Sequence, residues 1–134
     1  MRILIDTDVL LDVALGREPW VEESGATVAW AIDHPGSAAV AWHTVANIAY
    51  LAPGAARRFL ADLLTTVDVA PCGTRHALQA LAFPMPDLED ALQAAAALAF
   101  GADWIVTRNI PDFRSSPVPA LAPAAFTARV TPTA

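Results

Sequence analysis

The stretch PDLEDALQAAAALAFGADWIVT, residues 86–107, decides the fold. Pro86 and Asp87 form a helix start, with Asp90 three positions on in the manner of a capping box. Leu88, Ala91, Leu92, Ala95, Leu98 and Ala99 then recur as one apolar stripe. Gly101 ends the helix, and Trp104, Ile105 and Val106 form a buried strand that stops at Thr107. Only Gly101, Ala102 and Asp103 connect the two, so the helix must run antiparallel to the strand. That brings its amino end, with Asp87, Glu89 and Asp90, back to the carboxyl edge of the sheet.

The same alternation extends both ways. Ile3–Ile5 is a short buried strand ending at Asp6. A short helix over Val9–Ala14 stops at Gly16, and a longer one opens at Pro19 and ends by His34-Pro35-Gly36. Ala38–Ala41 and Val67–Ala70 read as strands. Thr44–Leu51, Ala55–Leu64 and Thr74–Ala82 read as helices. From about residue 117 a proline-rich tail is expected to hold no more than one short edge strand, near Ala120–Ala122. Strands alternating with helices predict a three-layer α/β/α domain over residues 1–134, with a mainly parallel sheet of four to five short strands.

The 134 residues suit one core, and 55% hydrophobic against 16% charged excludes disorder. The apolar run Ala94–Phe100 falls far short of the roughly 20 residues that span a bilayer. No leader-like segment follows Met1, and Cys72 has no second cysteine to pair with. These features predict a soluble, cytoplasmic domain without a membrane. All eight basic residues are arginine, and the net charge of −6 argues against non-specific nucleic-acid binding. It leaves room for a nuclease whose local charge is inverted by a bound metal.

In an open parallel sheet, ligands bind outside the carboxyl ends of the strands. Asp6 and Asp8 follow the first strand; Asn109 and Asp112 follow the last long one; Asp87, Glu89 and Asp90 open the helix between. Carboxylates so gathered repel one another unless a cation compensates, and hard oxygen donors suit Mg²⁺ or Mn²⁺. Read singly, several have structural roles: Asp87 as an N-cap, Asp8 as the cap of the helix that follows, Asp90 as the third residue of a capping box, Asp112 as a turn residue. Asp90 and Glu89 flank the apolar stripe on opposite sides, so spacing does not choose between them. Asp6 resists such a reading, since an acid ending a buried strand is costly without a partner.

At these residues the sequence resembles the PIN domain, specifically the VapC-type ribonuclease toxins. Ile5-Asp6-Thr7-Asp8-Val9-Leu10-Leu11-Asp12 is similar to the family's first acidic motif. Asp87-Leu88-Glu89-Asp90-Ala91-Leu92-Gln93 is similar to its central acidic helix, and Val106-Thr107-Arg108-Asn109-Ile110-Pro111-Asp112-Phe113 to its closing motif. The resemblance runs from Arg2 to about Phe126. It implies a Mg²⁺-dependent endoribonuclease, with Asp6 and Asp90 as metal ligands and Asp112 and Asn109 completing the catalytic set. Asp8, Asn47, Thr107, Asp87 and Glu89 are its further candidates. Two positions depart from the pattern: Asn109 stands where many members carry an acid, and Asn47 where a glutamate is usual.

Asp112, Asp8 or Asn109 would position a water, Thr107 would fix Asp6 or merely end its strand, and Arg108 would serve structure rather than phosphate. An RNA substrate, a cognate antitoxin protein and a homodimer are the implied partners. The two asparagines motivate the alternative of a catalytically weakened binding or regulatory module; a DNA nuclease is disfavoured by the chain's small size. Trp20, Trp30 and Trp42, like Phe59, Leu60, Leu63 and Leu64, are expected either to pack in the core or to anchor a partner. His34, His43 and His76 lack metal spacing and read as structural, and Cys72 as an inert thiol.

Overall fold

The computed structural model describes residues 1–132. Five strands, β1 (Ile3–Ile5), β2 (Ala38–Val40), β3 (Asp68–Val69), β4 (Trp104–Val106) and β5 (Ala120–Leu121), form one sheet in the order β3-β2-β1-β4-β5. Every pairing is parallel, in keeping with the expected mainly parallel sheet of four to five short strands. The chain first steps outward from β1 to β3, then returns to lay β4 against the other side of β1. The strand order therefore reverses between β1 and β4, and a crevice opens outside their carboxyl ends.

Helices cover both faces: α1 (Thr7–Leu15), α2 (Val21–Asp33), α3 (Trp42–Leu51), α4 (Ala56–Leu63), α5 (Thr74–Ala82), α6 (Leu88–Phe100) and α7 (Pro123–Val130), with a 3₁₀ turn over Ile110–Phe113. Side chains of a strand alternate between faces, and β1 divides accordingly. Ile3 and Ile5 join one core with Val9, Leu10, Val28, Ile48, Leu63 and Phe126, under α1–α4 and α7. Leu4 joins the other, with Ala39, Ile105 and the alanines of α6, under α5 and α6.

Three expectations need correction. The buried face of α6 comprises Ala91, Gln93, Ala94, Ala95, Ala96, Ala97 and Phe100, whereas Leu88 and Leu98 of the expected stripe are exposed. Small side chains let this helix lie close to the sheet, so the face richest in alanine is the one buried. The tail is not merely an edge strand: α7 follows β5 at once, with Pro123 at a position that needs no backbone N–H. It packs on α2, where the Trp30 ring stacks on His34 at 4.4 Å and meets Phe126 edge-on at 5.0 Å. Finally, α1 starts two residues earlier than expected, capped by Asp6 rather than Asp8. Leu63 lies in the core and Leu64 is exposed. The glycine stops hold: Gly16 and Gly101 adopt φ of 63° and 76°, a left-handed conformation that costs other residues.

Candidate functional site

Asp6 leaves β1 at the crevice and caps α1, its Oδ1 accepting from Thr7 N at 2.7 Å. Its Oδ2 accepts from Thr107 Oγ1 at 2.8 Å, so the residue ending β4 fixes the acid ending β1. Asp8, in the first turn of α1, receives Arg108 N and Asn109 Nδ2 on Oδ2, each at 3.1 Å. Asn109 also donates its backbone N–H to Thr107 Oγ1 at 3.0 Å and accepts from Asp112 N at 3.0 Å, which opens the 3₁₀ turn.

The short β4 connection brings the start of α6 to the same place. Asp87 caps that helix, its Oδ1 accepting from Asp90 N at 3.1 Å. No hydrogen bond returns from the Asp90 carboxylate to Asp87 N among the described residues, so the capping box is one-sided and that carboxylate is not committed to it. Glu89 Oε1 accepts from Asn47 Nδ2 on α3 at 3.1 Å. One open cleft of about 410 Å³ is lined by Asp6, Asp8, Asn47, Asp87, Glu89, Asp90, Asn109 and Asp112, and Thr107 is buried behind Asp6.

The electrostatics follow from that crowding. Burial, then repulsion from Asp8, pushes Asp6 up to about 7, against the lowering effect of its hydrogen bonds from Thr107 and Thr7. Burial likewise raises Asp90 to about 6, helped by Asp87, Asp112, Glu89 and Asp8. Asp8 is raised by burial, with the bond from Arg108 N and the Arg108 charge opposing. Among the described residues, no three His, Cys, Asp or Glu side chains form a ready cage for a metal ion. The donors fit instead a cation that keeps several waters and takes one or two carboxylates with substrate phosphate, which is the habit of Mg²⁺. Negative charge in excess, held near neutral pKa with oxygen donors only, fits such an ion.

Sequence reasoning missed the groups beneath the cleft. Asp12 is fully buried, accepting from Ser24 Oγ at 2.8 Å, Arg17 Nε at 3.1 Å, and Arg108 Nε and Nη2 at 2.8 and 3.1 Å. Arg108, stacked on Trp20 at 4.1 Å, is thus a half-buried tie that serves structure. Thr7, Thr44 and Gln93 are also buried; the two hydroxyls lie 2.9 Å apart, and Gln93 Nε2 donates to them at 3.2 and 2.9 Å. The signal for Asp12 was an acid inside the apolar run of α1; for Gln93, an amide among alanines.

Outside the cleft, His43, His76 and Cys72 line an apolar cavity of about 250 Å³. His76 Nδ1 accepts from Gly73 N at 2.9 Å, while burial lowers His43 and raises the Cys72 thiol. These states fit structural imidazoles and an unreactive thiol.

Two solved structures share the architecture. A toxin–antitoxin complex from Klebsiella pneumoniae superposes with a TM-score of 0.67 at 23% identity, over 90% of this chain and 97% of that one. VapBC2 from Rickettsia felis, bound to a DNA fragment from its promoter, gives a TM-score of 0.66 at 14% identity, over 91% and 98%. At such identities the likeness concerns the fold. No curated protein sequence matches the chain. The family profile of the PIN domain matches residues 2–111, a span holding the first four strands and every acid of the cleft except Asp112. With that match and the reversal of strand order beneath the acids, the chain belongs to the PIN domain family.

Proposed function

We propose that this protein is a divalent-metal-dependent endoribonuclease, the toxin of a toxin–antitoxin pair. The observation that carries the reading is the meeting of carboxylates from the end of β1, the start of α6 and the 3₁₀ turn in one cleft, two of them raised to near-neutral pKa. Asp6 and Asp90 would hold Mg²⁺ or Mn²⁺, which when bound supplies a Lewis acid for the phosphate and an acidified water.

The chain's own groups do the rest. Thr107 and the start of α1 hold Asp6 in one orientation. Asp112, close enough to raise Asp90, and Asp8 would orient a water or accept its proton. Asn109, whose amide is bonded to Asp8, positions that acid and brings no charge of its own. Glu89, held by Asn47, provides a carboxylate on the side of the cleft where residue 47 brings none.

Both fold neighbours are toxin–antitoxin complexes matched along nearly their full chains, which supports an antitoxin partner and, by analogy, a paired toxin. No helix is long and apolar enough to cross a membrane among the described residues.

The test is cleavage of structured RNAs by the purified chain. Wild type should cleave in Mg²⁺ and stop in EDTA, and Asp90→Asn should be slower by about 100-fold or more. Equal cleavage by both proteins, or activity that survives EDTA, overturns the reading. The bonding of Asn47 and Asn109 to acids favours the binding-module alternative only if divalent ions leave the melting temperature unchanged.

A further inference from the structure

Two cationic side chains line the acidic cleft, Arg17 and Arg108, and they are held differently. Arg108 lies over the Trp20 ring with its Nε and Nη2 on Asp12, and it is the cation that acts on Asp8. Its charge is absorbed by those two acids. Arg17 comes from the turn after α1. Its Nε and Nη2 lie 3.1 and 3.0 Å from the same Asp12 Oδ1, and Nη2 also donates to the Asp8 carbonyl at 3.2 Å. Its Nη1 makes no hydrogen bond among the described residues, and 35% of the side chain stays exposed.

One buried carboxylate thus anchors two guanidinium groups, leaving a positive charge that Asp12 does not cancel. A guanidinium already oriented loses little freedom on binding, and its planar fork matches a phosphate. In a cleft otherwise lined with acids, such a group offers a polyanionic chain a fixed point of attachment. We propose that Arg17 is a phosphate-binding residue, seating the RNA backbone against the wall of the cleft so that a neighbouring phosphodiester meets Asp6 and Asp90. The assignment rests on the ribonuclease reading and adds to it the group that recognises the substrate's charge.

The experiment measures binding of a fluorescent single-stranded RNA to the full chain in EDTA across a salt series, together with steady-state cleavage in Mg²⁺. Arg17→Met should weaken binding about tenfold, flatten the salt slope by about one charge, and raise KM while changing kcat less than about threefold. Arg58→Met, an exposed arginine on α4, should match wild type. Arg17→Lys should keep the salt slope and lose part of the affinity, a result that a folding defect would not give. Unchanged affinity and slope in folded Arg17→Met overturn the proposal, as does a loss confined to kcat. A wild type that neither binds nor cleaves RNA overturns the ribonuclease reading itself, and this proposal with it.

Discussion

Asp12 lies one helical turn beyond Asp8, fully buried, with Ser24, Arg17 and Arg108 donating to it from three separate stretches of chain. A buried carboxylate is tolerated only when cations and hydrogen bonds replace its lost water. Removing it would leave two half-buried guanidinium groups without their anion. Asp12→Ala should therefore lower stability by about 3 kcal/mol in urea unfolding. It should also slow RNA cleavage under conditions where the variant is folded, because Arg108 N, a donor to Asp8, loses its side-chain anchor. A loss under about 1 kcal/mol would show that the ties contribute little. None of this could be read ahead of the structure: the partners of Asp12 lie 5, 12 and 96 residues away, and periodicity carries no record of such pairings. Asp6 was legible because a strand end and an acid are adjacent in sequence.

The same contrast holds for elements. β1, β4 and α6 could be read because the apolar runs of β1 and α6 end at an acid and a glycine, Asp6 and Gly101, and because three residues join α6 to β4. α7 could not, since Pro117, Pro119 and Pro123 read as breaks, although a proline opening a helix forfeits no hydrogen bond. The buried face of α6 was displaced because large apolar side chains outrank alanine in any moment-based reading, while close packing on a sheet favours alanine. That face carries Gln93, which joins α6 to Thr7 at the start of α1 and Thr44 at the start of α3. One turn from it, α6 carries Asp90; α1 carries Asp8, and α3 carries Asn47. Gln93→Leu should cost about 1 kcal/mol of stability and raise the Mg²⁺ concentration for half-maximal cleavage several-fold. Leu98→Gln, on the exposed side of the helix, should alter neither. Equal Mg²⁺ dependence in both variants would reduce the network to a packing feature.

For the molecule as a whole, the net charge of −6 and the crowded carboxyls make stability a function of pH. Asp6 and Asp90 have folded pKa values of about 7 and about 6 against 3.8 ordinarily, so between these limits the folded state keeps protons that the unfolded state releases. Their contribution is fully present below about pH 4 and is lost as pH rises through 6 and 7. The metal-free melting temperature should fall by several degrees from pH 5 to pH 8, and the increment from added Mg²⁺ should grow over the same window. Asp6→Asn should flatten the first trend and remove most of the second. A metal-free profile that rises across the window would contradict the assigned pKa shifts.

The outermost strands, β3 and β5, are two residues long each. So few free backbone amides and carbonyls give an incoming peptide almost nothing to zip onto, which protects the molecule from self-templated aggregation. It also means that a protein covering the cleft must be selected through helix surfaces and side-chain chemistry, so its affinity should respond to point changes in exposed residues rather than to the extended-chain propensity of the partner.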